Sequence, residues 1–236
     1  MSIIIPTRRF DESLAARIAS HRGLFPEAEI IVVEPSDLPP LDEQPLVATV
    51  GVQRLRAPRG RGTQCNAGAA RATGSLLLFL HDDTALPTAA PEVVEDAFAD
   101  PKTQVACFRL RFDHPHWLLA SYAYFSRVDS TLTSFGDQGI LIRRAFFANI
   151  GGFPDWPLFE DVDLLSRARQ RIRGRIKKLP AAVTTSAVRF LENGILRQQL
   201  LNAELMLRFS LGASPESLRR RYEGRRGSAP SAGGDP

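Results

Sequence analysis

Residues 74–84 read Gly-Ser-Leu-Leu-Leu-Phe-Leu-His-Asp-Asp-Thr, and the other segments can be placed relative to this stretch. Its five consecutive apolar residues, 76–80, are typical of a strand buried on both faces, and such strands lie in the middle of α/β sheets. Ligands of open α/β sheets bind beyond the carboxyl ends of the strands. The sequence therefore predicts that His81, Asp82 and Asp83 lie at a functional site, the alternative being that they only form a turn.

Apolar and amphipathic segments alternate along the chain on both sides of this stretch. Short β-branched runs alternate with segments of helical periodicity, which predicts a mostly parallel sheet with helices on both faces. The predicted strands are 2–6, 29–34, 50–55, 76–80, 103–112, 140–142 and 179–188. The predicted helices include 12–21, 64–72, 91–99 and 194–211, and residues 35–48 are expected to form a loop.

The composition is that of an ordinary soluble globular protein. The chain has 236 residues, of which 24% are charged and 44% hydrophobic, enough for one large domain or two small ones. No run approaches the ~18 apolar residues of a membrane span, and the N-terminus enters a strand directly without a signal-peptide pattern. The two cysteines are far apart in sequence, which argues against a zinc site and favours a reducing compartment. We therefore expect a cytoplasmic location.

Polar residues at the other predicted strand ends suggest a nucleotide site. Acidic residues at two ends could bond a base and ribose, and arginines before a helix N-terminus suit a diphosphate, although each could also be a surface charge. Residues 59–62 lack both the lysine of a P-loop and the third glycine of a dinucleotide fingerprint, so neither an ATPase nor a dehydrogenase is indicated. The candidate nucleotide-binding residues are Thr7, Glu34, Asp37, Arg59, Arg61 and Asp82.

Two later segments carry further polar candidates. Glu160, Asp161 and Asp163 fall in the first turn of a predicted helix, where carboxylates favour the helix dipole but also suit a general base. Asp137 and Gln138 lie in a polar turn before a short strand, where they would bond sugar hydroxyls or stabilise the turn.

The aromatic-rich segment 114–125 has helical spacing, which predicts that its rings pack in the core. Contact of some rings with an acceptor is the alternative. Two roles are open for the amphipathic helix 194–211 and the arginines of 219–226. They pack on the domain or form a homodimer, or else they contact an anionic membrane or a lipid-linked acceptor. We divide the chain into a domain at 1–211, a short helix at 212–223 and a disordered tail at 224–236.

Several of these blocks together resemble one family. Segments 2–7, 29–37, 59–70, 79–87, 136–147, 151–164 and 183–189 are similar in order and spacing to the family 2 glycosyltransferases of the GT-A fold. More narrowly, they resemble a bacterial subgroup found beside radical-SAM/selenodomain proteins. The resemblance implies an inverting transferase that uses a nucleotide-sugar donor, UDP- or GDP-linked, and a divalent metal, Mn²⁺ or Mg²⁺.

The resemblance also implies roles for individual residues. The family's metal motif, two aspartates around any residue, falls on 81–83, so Asp83 would bind the metal, and His81, which replaces the first aspartate, is a second candidate metal ligand. The family's catalytic pair falls on Glu160 and Asp161, with Asp161 as the base. Nucleotide contacts would fall on Thr7, Glu34, Asp37 and Arg61. The late metal-binding histidine of some members and the Gln-x-x-Arg-Trp pattern of processive members are absent from the chain.

The predicted function is therefore transfer of a single sugar to an unidentified hydroxyl acceptor, with no nucleic-acid partner. A nucleotidyltransferase acting on sugar phosphates is one alternative, but it would need a lysine-containing glycine-rich loop where residues 6–10 stand. A non-catalytic sugar-nucleotide-binding protein is the other, and His81 in the metal motif is the main argument for it.

Overall fold

The computed structural model describes residues 1–38 and 51–226, so the predicted loop is covered only up to residue 38. The strands are β1 Ser2–Pro6, β2 Glu29–Pro35, β3 Gln53–Ala57, β4 Leu76–Phe79, β5 Val105–Phe112, β6 Ile140–Arg143 and β7 Lys177–Thr185. The α-helices are α1 Glu12–Leu24, α2 Arg61–Arg71, α3 Ala90–Ala99, α4 Trp117–Phe125, α5 Arg144–Asn149, α6 Glu160–Ile172, α7 Val188–Asn193, α8 Ile195–Ser210 and α9 Pro215–Arg226. A single 3₁₀ turn, Gly136–Gln138, precedes β6.

The seven described strands form one sheet in the order β3-β2-β1-β4-β6-β5-β7. All neighbouring pairs are parallel except those of β6, which runs antiparallel to β4 and to β5. The predicted mostly parallel α/β sheet is thus confirmed.

Helices cover both faces of the sheet, as the unbroken apolar strands require. Alternate residues of each central strand enter different clusters: Leu78 packs towards α1 and α3, whereas Leu77 and Phe79 pack towards α2, α5 and α6. Both faces of β4 are therefore buried, as predicted from segment 76–80.

Two element boundaries differ from the prediction in ways that matter for the site. Helix α2 begins at Arg61 rather than at residue 64, because Gly60 adopts a φ of 149° and turns the chain directly into the helix. Helix α9 ends at Arg226, so residues 224–226, predicted to be disordered, are helical. The remainder of the predicted tail lies outside the described residues.

The prediction that the aromatic segment packs in the core is wrong for most of its rings. Trp117, Tyr124 and Phe125 are 71%, 62% and 59% exposed, and only Leu119 of α4 is fully buried. Helix α4 contacts the sheet along one face only, where Tyr122 packs against the Phe112 ring at 5.8 Å. Within the described part of the chain, no helix combines the length and apolarity needed to cross a membrane.

Candidate functional site

The site lies at the carboxyl ends of β1 and β4, where the turn before β6 and the start of α6 meet them. The amide of Leu80 donates to the carbonyl of Ile4 at 3.0 Å, which extends the β1–β4 pairing up to the polar residues. Segment 81–83 therefore lies at the edge of the sheet where α/β proteins bind ligands, as predicted.

Asp82 is held against the end of β1. The Thr7 hydroxyl donates to Oδ2 of Asp82 at 2.7 Å, and Nε of Arg17 donates to the Asp82 carbonyl at 2.7 Å. Two predicted nucleotide-binding residues, Thr7 and Asp82, are thus brought into direct contact.

His81 faces a guanidinium group. Nη1 of Arg61 lies 3.0 Å from Nε2 of His81, so this nitrogen accepts a hydrogen bond from the arginine. Burial lowers the pKa of His81 well below its usual value, and the charges of Arg61 and Arg189 lower that pKa further. His81 is therefore neutral, and its Nε2 lone pair is occupied. This placement gives no support to the predicted metal role of His81, because one lone pair cannot serve both partners.

Arg61 forms an ion pair with Glu160 through its Nε, and the Glu160 side chain is almost fully buried. Burial acts to lower the pKa of Arg61, but the carboxylates of Glu160 and Asp161 raise it above its ordinary value. Arg61 therefore joins the motif after β4 to the first turn of α6. The sequence predicts that this arginine binds a diphosphate, whereas its partners in the structure are His81 and Glu160.

Asp161 is held by two backbone amides. The amide of Gly136 donates to Oδ2 at 2.5 Å and the amide of Val162 donates to Oδ1 at 2.8 Å. A Cβ on Gly136 would lie 2.9 Å from Oδ2 of Asp161 and 3.1 Å from Nε2 of His81. A side chain here would displace the Asp161 carboxylate or the His81 ring, so residue 136 is a site residue that sequence reasoning missed.

Asp137 and Gln138 diverge in role. Burial raises the pKa of Asp137 to about 7, with further contributions from Asp161 and Asp83, and Oδ1 of Asp137 has no hydrogen-bond partner among the described residues. Gln138 is fully buried; its amide donates to the Thr133 carbonyl at 2.6 Å, and its oxygen accepts from Lys178. Gln138 therefore stabilises the turn, which was one of its two predicted roles, whereas Asp137 faces the other carboxylates.

Asp83 has the least engaged carboxylate of the motif. Its Oδ1 lies 3.3 Å from the Thr84 hydroxyl and 3.4 Å from the Thr185 hydroxyl, both long for such bonds. The described residues contain no preformed group of three metal-ligating side chains. Mg²⁺ is usually held by one or two carboxylates together with substrate phosphates, so the carboxylate of Asp83 fits such a site.

The remaining nucleotide candidates lie at the ends of β2 and β3. Glu34 is buried and pairs with Arg54, whose Nε is 2.8 Å from Oε2. Arg59 pairs with the exposed Asp37 at 2.9 Å, and this hydrogen bond lowers the pKa of Asp37. Arg59 and Arg61 therefore face different partners, although only Gly60 separates them.

Two polar residues of α2, to which the sequence analysis assigned no role, connect the site to its surroundings. Nε2 of Gln64 donates to the carbonyls of Thr7 and Val33 at 2.9 and 2.6 Å, which ties α2 to β1 and β2. Asn66 exchanges two hydrogen bonds with the backbone of Phe153, at 2.8 and 2.9 Å. The sequence offers one indication of these roles, because Gln64 and Asn66 are polar residues in a helix that is otherwise rich in small residues.

Comparison with known proteins identifies both a family and a fold. The model of glycosyl transferase family 2 matches residues 2–149, well over half of the chain. Comparison with curated proteins gives no match. Similar solved structures include S. aureus TarS 1–349, which is 17% identical with a TM-score of 0.62 and covers 79% of this chain. The chain covers 60% of that structure.

Two other similar structures were solved with ligands. One is the mannosyltransferase PcManGT from Pyrobaculum calidifontis in complex with GDP-Man and Mn²⁺, which is 16% identical with a TM-score of 0.55. The match covers 78% of this chain and 55% of the PcManGT chain. Glucosyl-3-phosphoglycerate synthase from Mycobacterium tuberculosis, with Mg²⁺ and UDP, is 14% identical with a TM-score of 0.54, covering 78% and 69%. At these identities the likeness establishes the shared GT-A fold.

Proposed function

Because the chain belongs to glycosyl transferase family 2, we propose that it transfers one sugar from a UDP- or GDP-linked donor to an acceptor hydroxyl, with inversion and with a divalent metal. The hexosyltransferase type is part of this proposal. The observation that carries it is the link through Arg61, which joins His81 of the motif after β4 to Glu160 at the start of α6. The metal motif and the acidic pair thereby form one cluster.

The donor side of the cluster is built around Asp83. A bound Mn²⁺ or Mg²⁺ would neutralise charge on the departing diphosphate. Asp83 would hold the metal, since its present bonds are long, and Thr7, Asp82, Glu34, Asp37 and Arg59 would contact the nucleotide. The solved PcManGT complex with GDP-Man and Mn²⁺ supports this type of donor and metal.

Asp161 is the proposed base. As the acceptor oxygen forms its bond to the sugar C1, the bond from C1 to the phosphate oxygen breaks and the hydroxyl proton passes to Asp161. The amides of Gly136 and Val162 fix the orientation of the carboxylate. Glu160, neutralised by Arg61, positions this turn. Asp137, whose Oδ1 lacks a described partner, is proposed to bond a hydroxyl of the donor sugar or of the acceptor.

The test begins with donor binding. Thermal unfolding is followed with UDP, GDP and their sugars, each with and without Mn²⁺ or Mg²⁺. We expect a metal-dependent rise in Tm with one nucleotide class, because a ligand that binds only the folded state stabilises it, and we expect Asp83→Ala to abolish this rise. No shift with any nucleotide would contradict the proposal.

Catalysis is tested separately by release of the nucleoside diphosphate from the donor that binds. We expect Asp161→Asn to lower turnover by at least 100-fold while the Tm shift is retained, since general-base catalysis contributes about 10²–10⁴-fold. Asp163→Asn is the matched control in the same helical turn, because Asp163 pairs with Arg167 instead of joining the cluster. Donor binding without turnover in the unmodified protein would favour a sugar-nucleotide-binding protein.

A further inference from the structure

The structure leaves an extensive apolar surface uncovered on one part of the molecule. Every large apolar side chain that is strongly exposed in the described parts of the chain falls between residues 117 and 211. These side chains belong to α4 and the loop after it, and to α7, α8 and the residue that ends α8. Helix α8 contacts both α4 and α7, so the exposed apolar side chains are concentrated on neighbouring elements. Large exposed apolar patches mark interaction sites.

Helix α8 carries two apolar stripes. Leu201 and Leu205 are buried against Leu218 of α9. Leu196, Leu200, Leu207 and Leu211 follow one another at helical spacing and are 60%, 63%, 61% and 79% exposed. Packing within the described molecule explains the first stripe, and none of the described residues covers the second.

Helix α4 contacts α8 and adds aromatic rings to this surface. Trp117 and Tyr124 are seven residues apart and so share one side of α4, and the Phe125 ring packs edge-on against Tyr124 at 5.8 Å. All three rings are exposed. The guanidinium of Arg127 lies over the Tyr124 ring at 5.0 Å. Aromatic rings with a polar edge are enriched where apolar and aqueous phases meet.

The segment that carries the α8 stripe has a net positive charge. Residues 188–226 hold eight arginines and four glutamates, so this segment has a net charge of +4, equal to that of the whole chain. Glu204 of α8 is bonded by two arginines, Arg208 at 2.9 Å and Arg221 at 2.8 Å. A second copy of the chain would bring two such positive segments together, whereas an anionic surface would be attracted by them.

We propose that the exposed apolar stripes of α4 and α8 dock on an anionic lipid bilayer, with the exposed Arg208 of α8 and Arg219 and Arg220 of α9 contacting its headgroups. Insertion of the leucine stripe and the aromatic rings supplies apolar burial, and the excess arginines supply electrostatic attraction. The proposal is independent of the glycosyltransferase assignment, because none of these stripe residues belongs to the catalytic cluster.

Vesicle co-sedimentation of the full chain tests the proposal. We expect the protein to sediment with vesicles containing phosphatidylglycerol and to bind pure phosphatidylcholine vesicles at least tenfold more weakly. Leu200→Gln/Leu207→Gln is expected to lower the partition coefficient at least tenfold without a change in Tm, since both side chains are exposed. Arg220→Glu is expected to weaken binding and Arg71→Glu, an exposed arginine of α2, to leave it unchanged.

Three outcomes would overturn the proposal. One is the absence of sedimentation with anionic vesicles at low salt, and another is equal binding by the double leucine variant. The third is a dimer in sedimentation velocity that the double leucine variant loses, because this would assign the surface to a second copy. Asp161→Asn is expected to bind vesicles normally, which separates this test from that of catalysis.

Discussion

Arg61 is the residue on which the cluster depends. Its side chain contacts both the histidine of the metal motif and the buried Glu160, so it neutralises a carboxylate that has no other described partner. Sequence reasoning identified the charge of Arg61 and the chemistry of Glu160, but it could not pair two residues 99 positions apart.

We expect Arg61→Ala to destabilise the fold by about 2 kcal/mol, less than a fully buried pair would cost, because Arg61 is itself 39% exposed. The mutation leaves Glu160 buried without its cation. Urea unfolding measures the change, and Arg59→Ala is the control, since its partner Asp37 is exposed. Equal midpoints for Arg61→Ala and the unmodified protein would show that the ion pair does not stabilise the fold.

Asp137 should make stability depend on pH. Burial raises its pKa to about 7 in the folded protein, against a usual value of 3.8. At a pH between these two values the folded state binds a proton that the unfolded state has lost. The contribution of Asp137 to stability therefore falls as the pH rises from about 4 to about 7. We expect Asp137→Asn to stabilise the protein by roughly 1–2 kcal/mol at pH 8, a value reduced for partial exposure, and to have little effect near pH 4. Tm measured against pH checks this; the same shift at both pH values would contradict it.

Gly136 should tolerate no side chain. We expect Gly136→Ala to lower turnover at least tenfold and stability by roughly 1–3 kcal/mol, because its Cβ would press on Asp161 and His81. Gly23→Ala in α1 is the control, since a Cβ there meets nothing within 4 Å. Unfolding curves and initial rates together measure the effect, and normal turnover in Gly136→Ala would disprove the orienting role of this turn.

At the scale of elements, α2 positions the chain that leads into α6. Asn66 is bonded to the backbone of Phe153, and Gly152, with a φ of 67°, approaches the same amide. Helix α2 therefore holds the turn at residues 151–155 while the Arg61 at its start binds Glu160. The sequence predicted both helices, but not their connection.

We expect Asn66→Ala to cost about 1–2 kcal/mol and to lower turnover, because two backbone groups of the turn lose their partner. Donor-induced Tm shifts should persist, since Asn66 does not contact the predicted donor side chains. Thr63→Val is the matched control on the same helix, because its partner Asp155 is exposed. A turnover defect in Thr63→Val as large as that in Asn66→Ala would contradict a specific role of the Asn66 hydrogen bonds.

At the scale of the whole molecule, α9 is part of the folded body. Leu218 is buried against Leu201 and Leu205 of α8, and the same cluster includes Phe159, the residue before Glu160. The predicted domain end at residue 211 therefore falls between two helices that pack on each other. This packing extends from the C-terminal helices to the start of α6.

We expect Leu218→Ala to lower the free energy of unfolding by about 2–4 kcal/mol in a single transition, as removal of a buried leucine does. Leu211→Ala is the control and should change it little, because Leu211 is 79% exposed. Circular dichroism against urea measures both. A separate early transition confined to the C-terminal helices would show that they unfold independently.

The sequence by itself determined the sheet, because an apolar run buried on both faces leaves few architectures open, and it located segment 81–83 at the sheet edge. It also identified the acidic first turn of α6. Tertiary structure alone decided which charges meet, bringing Arg61, His81, Gly136 and Glu160 together from separate elements. It also decided that α4 exposes its rings. Periodicity records which side of a helix is apolar, whereas burial depends on whether another element covers that side.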